Sequence, residues 1–171
     1  MNVLITGKPG VGKTTLIQKV VAKLGFTCQG FYTREIRQNK NKRVGFEIVT
    51  LDGRTSLLAH SDSLTPFRVG KYFVHIDNIN RMIVPCLTDA IEKAQLIIID
   101  EIGRMELLSP QFQKSVFQAL VCPKPVLGTI TFAQIPAVIN IKKRSDVFLI
   151  ELKRENRKQI YQLIIDLLTE K

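Results

Sequence analysis

The feature that most constrains the fold of this chain is a glycine-rich loop near its start, between a short apolar strand and a helix. Residues 2–6 predict the strand, and residues 7–14 read G-x-x-x-x-G-K-T, the pattern of a phosphate-binding P-loop. Strand, loop and helix follow in the order that the motif requires. A helix starts at Lys13 and Gly25 is suited to end it; its apolar face is formed by Leu16, Ile17, Val20, Val21 and Leu24.

The chemistry of the loop follows from its residues. Pro9 has no N–H, so the backbone donors for phosphate must come from Gly10, Val11, Gly12, Lys13 and Thr14. We expect Lys13 to reach the β- and γ-phosphates, the Thr14 hydroxyl to hold Mg²⁺, and Thr15 to contact the α-phosphate. Lys8 is a second cation in the loop, and we interpret it as solvated rather than bound to phosphate.

Length and composition limit the class of protein. The 171 residues predict a single domain, and the net charge of +10 indicates attraction to anionic substrates, nucleic acid or membrane surfaces. The three cysteines and two histidines show no metal-ligand spacing, which argues against a disulfide scaffold or structural zinc. No apolar stretch approaches the 18 or so residues of a membrane span. We therefore expect a cytoplasmic, monomeric protein with no membrane partner.

The first half of the chain after the P-loop helix predicts a β-meander insert over residues 26–76. The strand-like runs are separated by a polar, basic turn at residues 34–43 and by Asp52-Gly53. We predict strands over residues 26–34, 44–51, 55–59 and 71–76.

The second half alternates strands with helices, which predicts an α/β fold with a mostly parallel sheet. Two short helices, one capped by Asp77 and one from Pro85 to Ala94, precede a buried strand over residues 96–99. We predict helices over residues 109–120, 136–144 and 155–168, and strands over 125–131 and 147–152. The expected core positions include Phe112, Val116, Phe117 and Leu120 of the first of these helices, and Ile160, Leu163, Ile164, Leu167 and Leu168 of the last.

The second chemical motif is LIIIDEIGRME at residues 96–106. An acidic residue at the end of an apolar strand, in a chain with a P-loop, is the Walker B arrangement. Asp100 is suited to fix Mg²⁺ against Thr14, and Glu101 to orient and deprotonate a water molecule beside the γ-phosphate. In such folds another strand lies between the P-loop strand and the Walker B strand, and we predict that residues 125–131 form it.

Several blocks together give the chain a specific resemblance. They are GKPGVGKTTLI at 7–17, GFYTREIR at 30–37, RVGFEIVTLDG at 43–53, RVGKYFV at 68–74, IIIDEIGRMEL at 97–107, VLGTI at 126–130 and ENR at 155–157. In their order and spacing they resemble the nucleoside-triphosphatases of thermophilic microbes, whose vertebrate relative is the cancer-related nucleoside-triphosphatase.

The resemblance implies a RecA-like P-loop fold. It also implies slow, Mg²⁺-dependent hydrolysis of ATP, GTP and other nucleoside triphosphates, with loose base preference. The resemblance and the two motifs together indicate the candidate nucleotide-binding positions, which are Gly7, Lys8, Pro9, Gly10, Val11, Gly12, Lys13, Thr14, Thr15, Asp100, Glu101, Ile102 and Gly103.

The chain departs from the family at two places. Many relatives carry a His-Arg pair where this chain has Thr131-Phe132-Ala133, and relatives often have Pro or Lys at the position of Arg104. Thr129 is either a γ-phosphate sensor or a plain strand residue. No motif identifies the cation that completes the site. Our hypothesis is that Arg68 or Lys71 supplies an arginine-finger-like charge near the γ-phosphate.

Three functions stay open from the sequence. The first is a nucleoside-triphosphatase with Lys13 and Glu101 as its catalytic residues. The second is a nucleotide or nucleoside kinase, for which the basic turn at 34–43 would be the lid. Arg34 and Arg37 are each either a contact to phosphate or base or a surface residue. The third is an ATP-switched nucleic-acid-binding module, which the charge supports. A guanine-specific switch is disfavoured because the chain has no Asn-Lys-x-Asp motif.

Overall fold

The computed structural model of the chain describes residues 1–169. Its strands are β1 (Asn2–Thr6), β2 (Cys28–Asn39), β3 (Lys42–Thr50), β4 (Thr55–His60), β5 (Arg68–Val69), β6 (Tyr72–Val74), β7 (Leu96–Ile102), β8 (Val126–Ile130) and β9 (Val147–Glu151). Its α-helices are α1 (Lys13–Leu24), α2 (Ile76–Asn78), α3 (Val84–Lys93), α4 (Pro110–Val121), α5 (Pro136–Lys142) and α6 (Arg157–Thr169).

The strands form one sheet in the order β5-β6-β4-β3-β2-β7-β8-β1-β9. From β2 to β9 the neighbouring strands are parallel, whereas from β2 to β5 they are antiparallel. The predicted α/β fold is confirmed, with the insert extending one edge of the parallel core. The prediction that residues 125–131 separate the P-loop strand from the Walker B strand is also confirmed, because β8 pairs with both β1 and β7.

Alternation within the central strands divides the core between the two faces of the sheet. Leu4, Ile97 and Ile99 point to the face covered by α3 and α4, and their neighbours Val3 and Ile98 point to the face covered by α1 and α6. All five side chains are fully or almost fully buried. Because helices cover both faces of the sheet, most of the side chains of these strands are apolar, as is usual for strands of a parallel sheet.

The first hairpin of the insert has longer and more regular strands than the sequence indicated. The segment predicted as a turn at 34–43 is instead mostly strand, since β2 continues to Asn39 and β3 begins at Lys42. Cross-strand ion pairs support this hairpin: Arg34 Nε lies 2.7 Å from Glu47 Oε1, and Arg43 Nη1 lies 2.7 Å from Glu35 Oε1. Glu35 also pairs with Arg37. The charges that resembled a loop are therefore paired on the surface of a ribbon.

Three further predictions are wrong in detail. The two short helices predicted around Asp77 and Pro85 form one helical run, because a π-helical segment over Ile79–Ile83 joins α2 to α3. Phe117 of α4 is 57% exposed and Leu163 of α6 is 43% exposed, so neither belongs to the core. Both helices carry apolar side chains beyond the stripe that faces the sheet.

No helix within the described part of the chain is long and apolar enough to cross a membrane.

Candidate active site

The P-loop has the backbone that its glycines predict. Gly10 and Gly12 adopt left-handed conformations with φ of 76° and 98°, and Gly12 is the N-cap residue of α1. A Cβ on Gly7 would lie 2.7 Å from the carbonyl oxygen of Leu152, so the loop and the end of β9 pack too closely for any larger residue. The Lys13 ammonium donates to the carbonyl oxygen of Gly7 at 2.9 Å and therefore lies across the loop.

Asp100 lies opposite the start of α1 near the carboxyl end of β7. Its side chain is 2% exposed, and its Oδ1 accepts a hydrogen bond from the Thr129 hydroxyl at 2.5 Å. Burial raises the pKa of Asp100, while the nearby hydroxyls of Thr129 and Thr14 and the charge of Lys13 oppose the rise. Its other oxygen, Oδ2, is buried without a hydrogen-bond partner among residues 1–169. A buried carboxylate oxygen of this kind calls for a cation or a donor.

The oxygens of Asp100 and Thr14 therefore fit a hard divalent cation such as Mg²⁺. Within the described residues no group of three or more His, Cys, Asp or Glu side chains could hold a metal ion. A cation held here would take its remaining ligands from water and phosphate, which is how Mg²⁺ is commonly bound.

Glu101 faces a different space from Asp100. It lines a cavity of about 460 Å³ on one side of the P-loop, together with Pro9, Lys13, Arg104 and Thr131. Burial raises the pKa of the Glu101 carboxyl, and the positive charge of Lys13 partly offsets that rise. A carboxylate with a raised pKa, next to a phosphate-binding lysine and open to water, is equipped to accept a proton.

Glu106 is a functional candidate that the sequence interpretation missed. It is 4% exposed, and burial and the neighbouring charge of Glu101 raise its pKa to about 8. A Cβ on Gly103 would lie 2.6 Å from Glu106 Oε2 and 3.2 Å from Glu101 Oε1. Gly103 thus provides the space into which both carboxylates project. The only sequence signal was the position of Glu106 in the DEIGRME block.

The remaining candidate binding positions fall into two groups. Lys8 and Thr15 are exposed at the loop and the start of α1, where a phosphate chain is accessible to them. Ile102, in contrast, is fully buried in the core and pairs with Ile130 of β8. Its side chain fills the core at the end of the strand, so a nucleotide contact at Ile102 would have to come from its backbone.

Arg68 and Lys71 are not brought to the site. They belong to the β5–β6 hairpin at the outer edge of the sheet, seven strands from β1, or roughly 34 Å along the sheet. Arg68 donates to the carbonyl oxygen of Gly70, and Lys71 to that of Arg43. The hypothesis that either one reaches the γ-phosphate is wrong for this arrangement. Thr129 is fully buried, and its hydroxyl is hydrogen-bonded to Asp100.

A P-loop on a central parallel strand, with an acidic strand end two positions along the sheet, defines a P-loop protein of the α/β class that binds nucleoside triphosphates. The NTPase family model matches residues 2–165. The chain is 45% identical to the nucleoside-triphosphatase THEP1 of Thermotoga maritima, over 98% of this chain and 95% of that protein.

Solved structures agree with the sequence comparison. The crystal structure of THEP1 from Aquifex aeolicus superposes with a TM-score of 0.90 at 37% identity, covering 99% of this chain and 100% of that one. The solution structure of a human cancer-related nucleoside triphosphatase gives a TM-score of 0.83 at 37% identity, with 98% and 97% covered. The chain belongs to the nucleoside-triphosphatase family.

Proposed function

We propose that this protein hydrolyses the γ-phosphate of ATP, GTP and other nucleoside triphosphates with Mg²⁺, at a slow rate and with little base selectivity. The observation that carries the proposal is the pair of adjacent carboxylates at the end of β7. Asp100 is buried with a free oxygen near Thr14, and Glu101 lines the cavity beside Lys13. These two positions support a cation site and a water-activating base on the same strand.

Binding of the triphosphate would depend on the backbone N–H groups of residues 10–14 and on Lys13. Gly10 and Gly12 give the loop its left-handed turns, the Val11 N–H donates to the carbonyl oxygen of Lys8 at 3.2 Å within the loop, and the start of α1 adds its positive dipole end. Mg²⁺ held by Thr14 and Asp100 would neutralise part of the phosphate charge. Thr129 keeps the Asp100 carboxylate oriented, because its hydroxyl donates to Oδ1 from the neighbouring strand.

Hydrolysis would start with Glu101, which takes a proton from a water molecule in the 460 Å³ cavity as that water attacks the γ-phosphate. Negative charge then builds up on the leaving phosphate oxygens. Lys13 neutralises it from the loop, together with Arg104, which lines the same cavity. Arg104 replaces the distant Arg68 and Lys71 as the arginine that completes the site, because it is an exposed cation in the cavity.

The variant Glu101→Gln tests the base assignment. It removes the proton acceptor but keeps the size of the side chain, so we expect kcat for ATP to fall by about a hundredfold or more. Nucleotide binding, followed as the rise in unfolding temperature with ATP and Mg²⁺, should be retained. Glu92→Gln on the exposed side of α3 is the matched control and should keep full activity. Unchanged turnover in Glu101→Gln would rule out Glu101 as the base.

A product assay separates hydrolysis from the kinase alternative. The β2–β3 hairpin continues beyond Tyr32, which is paired with Asp100, and so projects past the carboxyl edge of the parallel core. An acceptor for phosphoryl transfer would sit beside that hairpin. The protein is incubated with each of the four labelled triphosphates, in the presence and absence of nucleosides and nucleoside monophosphates. We expect inorganic phosphate as the labelled product in every case. Label transferred to an acceptor would favour a kinase.

A further inference from the structure

A second and larger cavity lies on the other side of the P-loop, between α1 and α6. Its volume is about 780 Å³, within the usual range for small-molecule sites. Gly10, Gly12 and Thr15 form its inner wall, and Arg157, Lys158 and Tyr161 form the wall contributed by α6. The catalytic carboxylates are not among its lining residues, so it is separate from the cavity that Glu101 faces.

The position of the two cavities gives the bound triphosphate a direction. The cavity with Glu101 and Arg104 is suited to the γ-phosphate, which is where water must attack. Thr15, the expected contact of the α-phosphate, opens into the larger cavity. A phosphate chain that runs across the loop between these points delivers whatever is attached to the α-phosphate into the space between α1 and α6.

The α6 wall of this cavity has two flat groups. Arg157 donates to the carbonyl oxygen of Val11 at 2.5 Å, and its guanidinium carbon lies 3.5 Å from the place of a Cβ on Gly12. The guanidinium therefore packs directly over the glycine of the loop. Tyr161 follows one helical turn later, on the same face of α6, and its side chain is half-buried.

Flat cationic and aromatic groups recognise the π-face of a base, which all four bases possess. None of the described residues that line the cavity is acidic. The cavity therefore lacks a carboxylate that would accept hydrogen bonds from the N–H groups of guanine. Its chemistry suits a purine or pyrimidine of any kind.

Building on the proposed function, we propose that the cavity between α1 and α6 is the nucleoside subsite, with the base stacked on Tyr161 and Arg157. The base is bound by its face rather than its hydrogen-bonding edge. Low base selectivity is then a property of this wall, in addition to the phosphate contacts that all nucleoside triphosphates share.

Binding measurements on Tyr161→Ala test the subsite apart from catalysis. The ligands are non-hydrolysable analogues of ATP, GTP, CTP and UTP, and inorganic tripolyphosphate, which has the phosphates without the nucleoside. We expect the dissociation constants of all four nucleotides to rise by about tenfold. That of tripolyphosphate should not change, and Tyr161→Phe should restore nucleotide affinity because the ring remains. Leu163→Ala, an exposed position on α6 outside the cavity, controls for disturbance of the helix.

Two results would contradict the proposed nucleoside subsite. One is unchanged nucleotide affinity in Tyr161→Ala. The other is an equal loss of affinity for tripolyphosphate, which would mean that Tyr161 acts on the P-loop and not on the nucleoside. Because the measurement is of binding, a wild-type protein that failed to hydrolyse triphosphates would count against the proposed function alone.

Discussion

Asp100 and Glu101 are neighbours in the chain, but their carboxylates face different surroundings. Asp100 points between β7 and β8, where Thr129 donates to it and Thr14 lies within hydrogen-bond reach. Glu101 points into the open cavity beside Lys13. The register between β7 and β8 shifts between Ile99 and Ile102, so both carboxylates lie in an irregular part of the strand, where adjacent positions can hold a cation ligand and a base.

Arg104 gives the sharpest prediction for a single residue. Removing a charge that stabilises the transition state should lower kcat for ATP by about a hundredfold in Arg104→Ala, with a smaller change in KM. Arg104→Lys should recover part of the loss, because it keeps the charge but not the planar fork. Steady-state kinetics over a range of ATP concentrations measure both constants.

Arg68→Ala is the control for Arg104→Ala, since Arg68 lies at the far edge of the sheet with its guanidinium over Phe73. It should leave kcat near the wild-type value. If the two alanine variants lost turnover equally, Arg104 would not be the cation that acts at the γ-phosphate.

Among the elements, β2 best shows how the core and the insert are joined. Its first half pairs with β7 in the parallel core, and from Phe31 onward it also pairs with β3 in the antiparallel insert. Gly30, at the junction, has no room for a side chain, because a Cβ there would lie 1.9 Å from the carbonyl oxygen of Ile98. The insert is therefore built directly onto the strand next to the Walker B strand.

Helix α4 depends on a cap at Ser109. Ser109 is fully buried; its hydroxyl accepts from the N–H of Phe112 at 3.0 Å and donates to Asn80 at 2.5 Å. Pro110 occupies the first turn, where its missing N–H costs nothing. The cap fixes the start of the helix whose Phe112 packs edge-to-face on Phe31.

Ser109→Ala should therefore lower the free energy of unfolding by about 1–2 kcal/mol. Thr88→Ala is the matched control: its exposed hydroxyl bonds only to the carbonyl of Val84 in its own helix, so we expect a change within about 0.5 kcal/mol. Urea unfolding followed by circular dichroism measures both. Equal losses in the two variants would contradict the assigned cap.

For the whole molecule, Glu106 links folding to pH. Its carboxyl titrates near its ordinary value in the unfolded chain, but with a pKa of about 8 in the folded protein. Between those values the folded state holds a proton that the unfolded state has lost. The protonated Glu106 therefore makes its full contribution to the free energy of unfolding at low pH. That contribution is lost as the pH rises toward 8, by up to about 1.4 kcal/mol per pH unit.

The variant Glu106→Gln isolates this contribution because it stays neutral at every pH. We expect its free energy of unfolding to fall less steeply than that of the wild type between pH 5 and pH 8 and to exceed it at the upper end. The exposed Glu92→Gln should follow the wild-type curve. Parallel curves for Glu106→Gln and the wild type would show that Glu106 keeps an ordinary pKa when folded.

Local patterns were enough to predict the P-loop, the Walker B strand and the order of most strands and helices. They failed where a segment's state depends on a partner elsewhere in the chain. Residues 34–43 looked like a turn because they are charged, but pairing with β3 makes most of them strand. Phe117 and Leu163 looked buried because they are apolar, but both stay exposed, and the Phe117 ring is met by the Arg144 guanidinium instead of the core.

The sequence by itself determined the nucleotide-binding loop and the two carboxylates, because their backbone and spacing requirements are local. Only the tertiary structure decided which cations line the cavity with Glu101, what Glu106 faces, and where the space beside α1 opens. These depend on strand order, which places Arg104 at the loop and Arg68 far from it. Side chains distant in sequence meet through packing of the sheet and helices, which no local pattern records.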